Sequence, residues 1–287
     1  MGRAPAAGSD DGRPTVTSVR APAVAGSFYP ANSTELAATV DRMVQGAHVA
    51  VRTEPLGAVI VPHAGYVYSG EVAAAAYRRL LDHGRAVTTA VVIGPNHTVP
   101  LDTIALSGSD VWRTPLGEIP IDVELREALV AAGAAVIADG PHVREHAIEV
   151  QLPFLQRILA VGWKLLPAVV GHVSHARGGA FLDRCWGQDD LVVISSDLSH
   201  YLPYEEARRR DRETVDAIVA GDPAGIGPDQ ACGASPLRSL LAAAATASMS
   251  PDVLDVRNSG DTAGPRDRVV GYAAIAYHSA VSSWDRL

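Results

Sequence analysis

The chain has 287 residues, 47% of them hydrophobic and 20% charged, with a formal net charge of −8. These values describe an ordinary globular chain, long enough to bury a large core without covalent staples. The acidic balance argues against a nucleic-acid partner, no apolar run reaches the length of a membrane span, and two cysteines, Cys185 and Cys232, are too few for a disulfide framework and suit a reducing cytoplasm.

Residues 1–18, MGRAPAAGSDDGRPTVTS, lack the apolar core of a signal peptide and read as a disordered tail, leaving 19–287 as one domain. Val19–Pro30 is an irregular opening segment whose Phe28 and Tyr29 pack on the body. Asn32 or Ser33 caps a helix over 35–45, with Leu36, Val40, Met43 and Val44 on one face. Ala58–Val61 is short and β-branched, as a strand buried on both faces should be; Pro62 ends it. After a turn at Tyr66–Ser69, a helix over 70–81 leads to a strand at 90–93, a right-handed βαβ unit. Further on come a strand at 104–107, a turn-bearing loop at 111–117, a helix over 123–132 ended by Gly133, and a strand at 135–137. A helix over 145–159 should kink at Pro153. Strands at 165–170 and 191–196 flank a helix over 176–185. A charged helix at 204–220, a loop at 221–228 and a helix at 236–248 follow, the last capped by Ser235 with Pro236 at its first position. Strands at 253–256 and 268–277 close the chain. The alternation predicts an α/β fold with a mixed, largely parallel sheet between helical layers.

Four apolar runs end in a small or breaking residue and then a histidine: His63, His97, His172 and His200. One such histidine more often belongs to a capped loop than to a ligand site. Parallel strands, however, would deliver several to one rim, where open α/β sheets bind their ligands. Cys232 directly precedes a helix, whose dipole favours a thiolate; its plainer reading is a buried inert thiol. His63 and His97 with Cys232 would form a mixed metal site with open positions, a composition that suits Fe(II), Cu or Zn. Asp197 and His200 either orient a ligand there and act as acid and base, or form a loop in which the aspartate caps a turn. His142–His146 spells H-x-x-E-H, an inverted zinc-protease pattern, but Gly140-Pro141 signals a turn where that pattern needs a helix.

Several stretches together resemble one family. They are Gly26–Pro30, Pro62–Tyr66 with Ser69-Gly70, Gly94–His97, Trp112–Gly117, Glu145–Glu149 with Gln151–Phe154, Ser195–His200, Cys232-Gly233 and Val270–Ala274. In that order they are similar to the Memo family, whose bacterial and archaeal members are called AmmeMemoRadiSam system protein B. The resemblance implies the sandwich fold of the LigB-like extradiol dioxygenases, which use non-haem Fe(II). It implies metal ligands at His63, His97 and Cys232, with Asp197, His200 and His146 as the acid–base groups beside them. Fe(II) is the first expectation for the ion, then copper, then zinc. The implied function is a mononuclear, redox-active metal-binding protein that acts with radical-SAM-system companions. The alternatives are an iron-dependent oxygenase and a non-catalytic peptide- or partner-binding module. Cysteine in place of the dioxygenases' carboxylate counts against ring cleavage.

Overall fold

The computed structural model describes residues 17–84, 86–187 and 189–279. Residues 1–16 of the expected tail lie outside them. Ser18 is tied down: the Asp110 carboxylate accepts from its N–H and its hydroxyl at 2.7 and 2.9 Å.

The chain opens with β1 (Val19–Arg20), α1 (Ser33–Gly46), β2 (Leu56–Val61), α2 (Tyr66–His83), β3 (Thr89–Pro95) and β4 (Ile104–Leu106). It continues through β5 (Val111–Thr114), β6 (Gly117–Pro120), α3 (Val123–Ala131), β7 (Val136–Ile137), α4 (Leu152–Ile158), β8 (Lys164–Val170) and α5 (His175–Cys185). It ends with β9 (Asp190–Ser195), β10 (His200–Leu202), α6 (Tyr204–Ala220), α7 (Ala234–Thr246), β11 (Met249–Asn258) and β12 (Val269–Ser279).

Nine strands form one mixed sheet in the order β10-β12-β2-β9-β3-β8-β4-β7, with β11 on the far side of β12. Its centre, β2-β9-β3-β8, is parallel. These are the β-branched runs, and the period-2 alternation of a strand divides their side chains between two cores. Val59, Val61, Ala90, Val92, Leu191 and Val193 pack under α1, α2 and α4. Ala58, Ile60, Val91, Ile93, Val192 and Ile194 pack under α3, α5, α6 and α7. The result is the expected α/β/α sandwich. A small second sheet, β1-β5-β6, covers one side. No helix among the described residues is long and apolar enough to cross a membrane.

Four local expectations change. Tyr66–Ser69 is the first turn of α2 rather than a loop before it, since the Gly65 carbonyl accepts from the Tyr68 and Ser69 N–H groups. Residues 111–120 form a hairpin, turned where Thr114 Oγ1 accepts from the Leu116 N–H at 3.0 Å. Helix over 145–159 is confined to a 3₁₀ turn at Glu149–Gln151 and to α4, because the Glu145 carboxylate itself takes the N–H groups of His146 and Ala147. Pro153 therefore stands in the first turn of α4, where no N–H is needed, and produces no kink. At α7 the N-cap is Gly233, without a side-chain bond, so Ser235 and Pro236 both lie inside the first turn.

Candidate metal centre

The carboxyl ends of the central parallel strands open onto a cleft of about 1070 Å³. His63, His97, His146, Asp197, His200 and Cys232 all line it. His172 does not. Beyond β8 the backbone stays bonded to the 101–103 segment, which leaves the His172 side chain 95% exposed beside Asp102. His142 is also elsewhere, in a turn, donating Nε2–H to the Ala105 carbonyl, so the H-x-x-E-H pattern makes no site.

His63 follows β2 and is 2% exposed. Its Nδ1 lies 3.0 Å from Ser195 Oγ, and the neighbours of that hydroxyl settle the tautomer. Ser195 Oγ donates its one proton to the Ala147 carbonyl at 2.6 Å and accepts from Gln151 Nε2 at 2.8 Å. Gln151 is held in this orientation because its Nε2 also donates to the Pro62 carbonyl while its Oε1 accepts from Tyr77. With its proton committed, Ser195 can only accept from His63, so Nδ1 carries the hydrogen and Nε2 keeps a lone pair.

His97 is fixed by a charge instead. Glu145, fully buried, accepts from its N–H and its Nδ1, each at 2.9 Å, and from the N–H groups of His146 and Ala147. Burial alone would raise the Glu145 carboxyl; the hydrogen bond from His97, its charge and the backbone donors outweigh that and bring it to about 2. An ionised carboxylate only accepts, so His97 donates through Nδ1 and Nε2 is the atom open to an ion. This is the carboxylate–histidine pairing that orients ligands around many metals.

His146 stacks on His97 with ring centroids 4.9 Å apart and planes 19° apart, and packs against Phe28 at 4.7 Å. Phe28 is put there by Glu149, which accepts from Arg20, the N–H groups of Ala23 and Val24, and Tyr29 Oη, pinning the opening segment beside the cleft. One ring nitrogen from each of His63, His97 and His146 lies within 4.8 Å of the other two. Burial, and then repulsion by His97, lower His63 to about 3; burial, and then His63, lower His146 to about 4. Both rings are neutral at pH 7, as metal ligands must be.

Cys232 Sγ lies 3.2 Å from His63 Nε2 and 3.9 Å from Ser196 Oγ. Burial, reinforced by the Asp197 carboxylate, raises the thiol to about 12. Asp197 accepts from the His63 N–H at 2.7 Å, and its burial pushes the carboxyl up. His200 donates Nδ1–H to the Leu198 carbonyl at 2.8 Å, which commits its tautomer as well.

The part of the site that sequence reasoning did not see is the shell behind the rings: Ser195, Gln151 and Glu145. The adjacent pair Glu145-His146 was visible but took the pattern of a helix start. Its signal was the Gly140-Pro141 turn just before it, which leaves room for an extended carboxylate-bearing loop.

An α/β/α sheet with imidazoles converging at its strand ends defines a protein with a candidate metal centre of imidazole nitrogen donors. The chain belongs to the Memo family: the model for Memo-like proteins matches residues 20–276. MEMO1 family proteins of Aeropyrum pernix and Aquifex aeolicus are each 37% identical to it, aligning 90% of this chain with 99% of theirs. One from Methanosarcina acetivorans is 38% identical over 90% of this chain and 98% of its own. The fold is similar to that of an uncharacterized protein from Escherichia coli K12, with a TM-score of 0.51 and 13% identity over 77% of this chain and 99% of that one.

Proposed function

We propose that the cleft is a mononuclear transition-metal centre in which His63, His97 and His146 hold the ion and Cys232 stands as a fourth donor. The observation that carries this reading is the gathering of three ring nitrogens within 4.8 Å, two of them on rings whose opposite nitrogen is committed to Ser195 or Glu145. Imidazoles beside a thiol suit Fe(II), copper or zinc, with Fe(II) first by family resemblance. Relative to the His63/His97/Cys232 set, this moves His146 from acid–base duty into the ligand set. A bound ion would supply Lewis acidity and, if iron or copper, electron transfer. Around it, His200 Nε2 would take a proton from a ligand in the cleft, and Asp197 would hold one. Redox work with radical-SAM-system companions in the cytoplasm completes the proposal.

The test is metal content, by mass spectrometry, of the protein and of His146→Ala and Cys232→Ala, with circular dichroism as a check on folding. The expected result is one ion in the parent, little in His146→Ala, and an ion held more weakly in Cys232→Ala. Full stoichiometry in His146→Ala with none in Cys232→Ala would restore the two-histidine, one-cysteine set. A second reading, an iron-dependent oxygenase, draws on a cleft far roomier than an ion needs. Oxygen uptake by the Fe(II)-loaded protein on a catechol panel distinguishes it.

A further inference from the structure

Strand β11 ends the sheet on its side. It pairs with β12 along Met249–Asn258, and no strand among the described residues pairs with its other edge. The direction of its backbone groups follows from β12. Gly271 exchanges bonds with Leu198 and Ser199, and Ser279 donates to the Pro55 carbonyl, all away from β11. Alternation turns Ala273, Ile275 and Tyr277 the same way, so their opposite residues Val256, Val253 and Pro251 aim their backbone groups outward. That edge is closed at both ends. Pro251 has no N–H to give, and the Asn258 N–H donates to the Asp261 carboxylate at 3.0 Å. Between them Val253 and Val256, 39% and 41% exposed, are left with unbonded outward groups among the described residues. Helix α6 starts beside the end of β11, where Tyr204 Oη donates to Asp261. Its Arg208, Arg212 and Asp216 line, with both valines, a groove of about 240 Å³ along the edge. Among the described residues Arg212 and Asp216 make no ion pair within 4 Å. None of these residues lines the metal cleft.

We propose that two copies of the chain join edge to edge at β11 about a twofold axis, forming a dimer with one continuous sheet. The edge is complementary to itself. An antiparallel pairing that sets Val253 opposite Val256 of the second copy also sets Val256 opposite its Val253, so the outward backbone groups of all four valines bond across the axis. Pro251 falls opposite Asn258 of the second copy, which places the residues that cannot donate together at the ends. Asp252 falls opposite Arg257 of the second copy, on the other face of the sheet. A slip of two residues would set Asp252 against Asp255 of the second copy, two like charges, so the charges select the register. The same axis lays α6 antiparallel beside its copy and brings Arg212 of each chain to Asp216 of the other. An unrelated extended peptide would find only two residues with groups to offer, too few for a ladder of its own. The edge thus fits a second copy, and the dimer owes nothing to the metal reading.

The test is sedimentation equilibrium of the full-length protein across about a hundredfold range of micromolar concentrations. Val256→Lys, Arg212→Glu and the charge swap Arg212→Glu/Asp216→Arg are run beside it, with circular dichroism on each. The expected result is a reversible monomer–dimer equilibrium in the micromolar range, as suits an interface at the small end of the scale. Val256→Lys puts a cation on the edge, and Arg212→Glu sets it against Asp216 of the second copy, so each should weaken the dimer about tenfold. The swap restores opposite charges across the axis and should return the affinity to within about threefold of the parent. A monomer at every concentration overturns the proposal and leaves the edge to another occupant. A dimer that the folded Val256→Lys and Arg212→Glu variants keep at full strength overturns it by placing the interface elsewhere. Loss in Arg212→Glu without recovery in the swap overturns the register across α6.

Discussion

Ser195 has one proton and three polar neighbours, and that arithmetic decides the chemistry of His63. Replacing it with alanine leaves the His63 Nδ1–H, one Gln151 N–H and the Ala147 carbonyl without this partner in a buried place. Ser195→Ala is expected to weaken metal binding about 10- to 100-fold, read by competition with a chelator, because the ring is no longer held with Nε2 forward. It should also cost about 1–3 kcal/mol in urea unfolding. Glu145→Gln tests the other anchor. It keeps the shape but removes the charge and offers N–H groups where four donors converge, so affinity should fall by a similar factor. Unchanged chelator competition in both variants would mean the rings are oriented by something else.

At the scale of elements, helix α4 carries a clean test of where it starts. In the first turn Pro153 lacks only an N–H that would be orphaned anyway, so Pro153→Ala should move stability by less than about 1 kcal/mol. A continuous helix from Glu145 would put the proline in its interior, and its removal would then stabilise by about 3 kcal/mol. Helices α5 and α7 are held together by a missing side chain. A Cβ on Gly178 would sit 1.8 Å from Ser239 Oγ. Gly178→Ala, which would gain up to about 1 kcal/mol in an open helix, is expected instead to destabilise by about 1–3 kcal/mol by thermal or urea unfolding. The central strands were legible in the sequence because each is an apolar β-branched run closed by a breaking residue, and strand ends bearing His63, His97 and His200 followed from that. The hairpin at 111–120, strand β10 and the loop at Glu145–Ile148 were not. Each depends on a contact made across the fold, such as β1 beside β5 or His97 against Glu145, and no local periodicity records such contacts.

Acid sensitivity belongs to the whole molecule, because buried neutral histidines charge only when the fold opens. His142 is 1% exposed, and burial lowers it from 6.5 to about 4, against a smaller upward pull from its bond to the Ala105 carbonyl. Above pH 6.5 folded and unfolded chains are both neutral at this position and its full contribution is present. As pH falls below 6.5 the unfolded chain takes the proton first, so stability drains away until about pH 4. His142→Phe keeps an aromatic ring against Trp112, loses about 1 kcal/mol at pH 7.5 for the missing hydrogen bond, and should lose less than the parent between pH 7.5 and 4.5. Urea midpoints at the two pH values measure this; parallel losses in both proteins would assign the acid limb to other groups.

The strands that end in His63 and His97 are not neighbours. β9 lies between them and sets them two strand widths apart, about 10 Å. That spacer is synthesised long after both. A chain still emerging from the ribosome therefore has no imidazole trio to offer until Asp190–Ser195 has slotted between its two predecessors, and Ser195 arrives in the same event. On the proposed metal reading, chelation would thus be deferred to the finished sheet, so that ion uptake would report on completed topology and half-made chains would be spared from trapping metal in the wrong geometry.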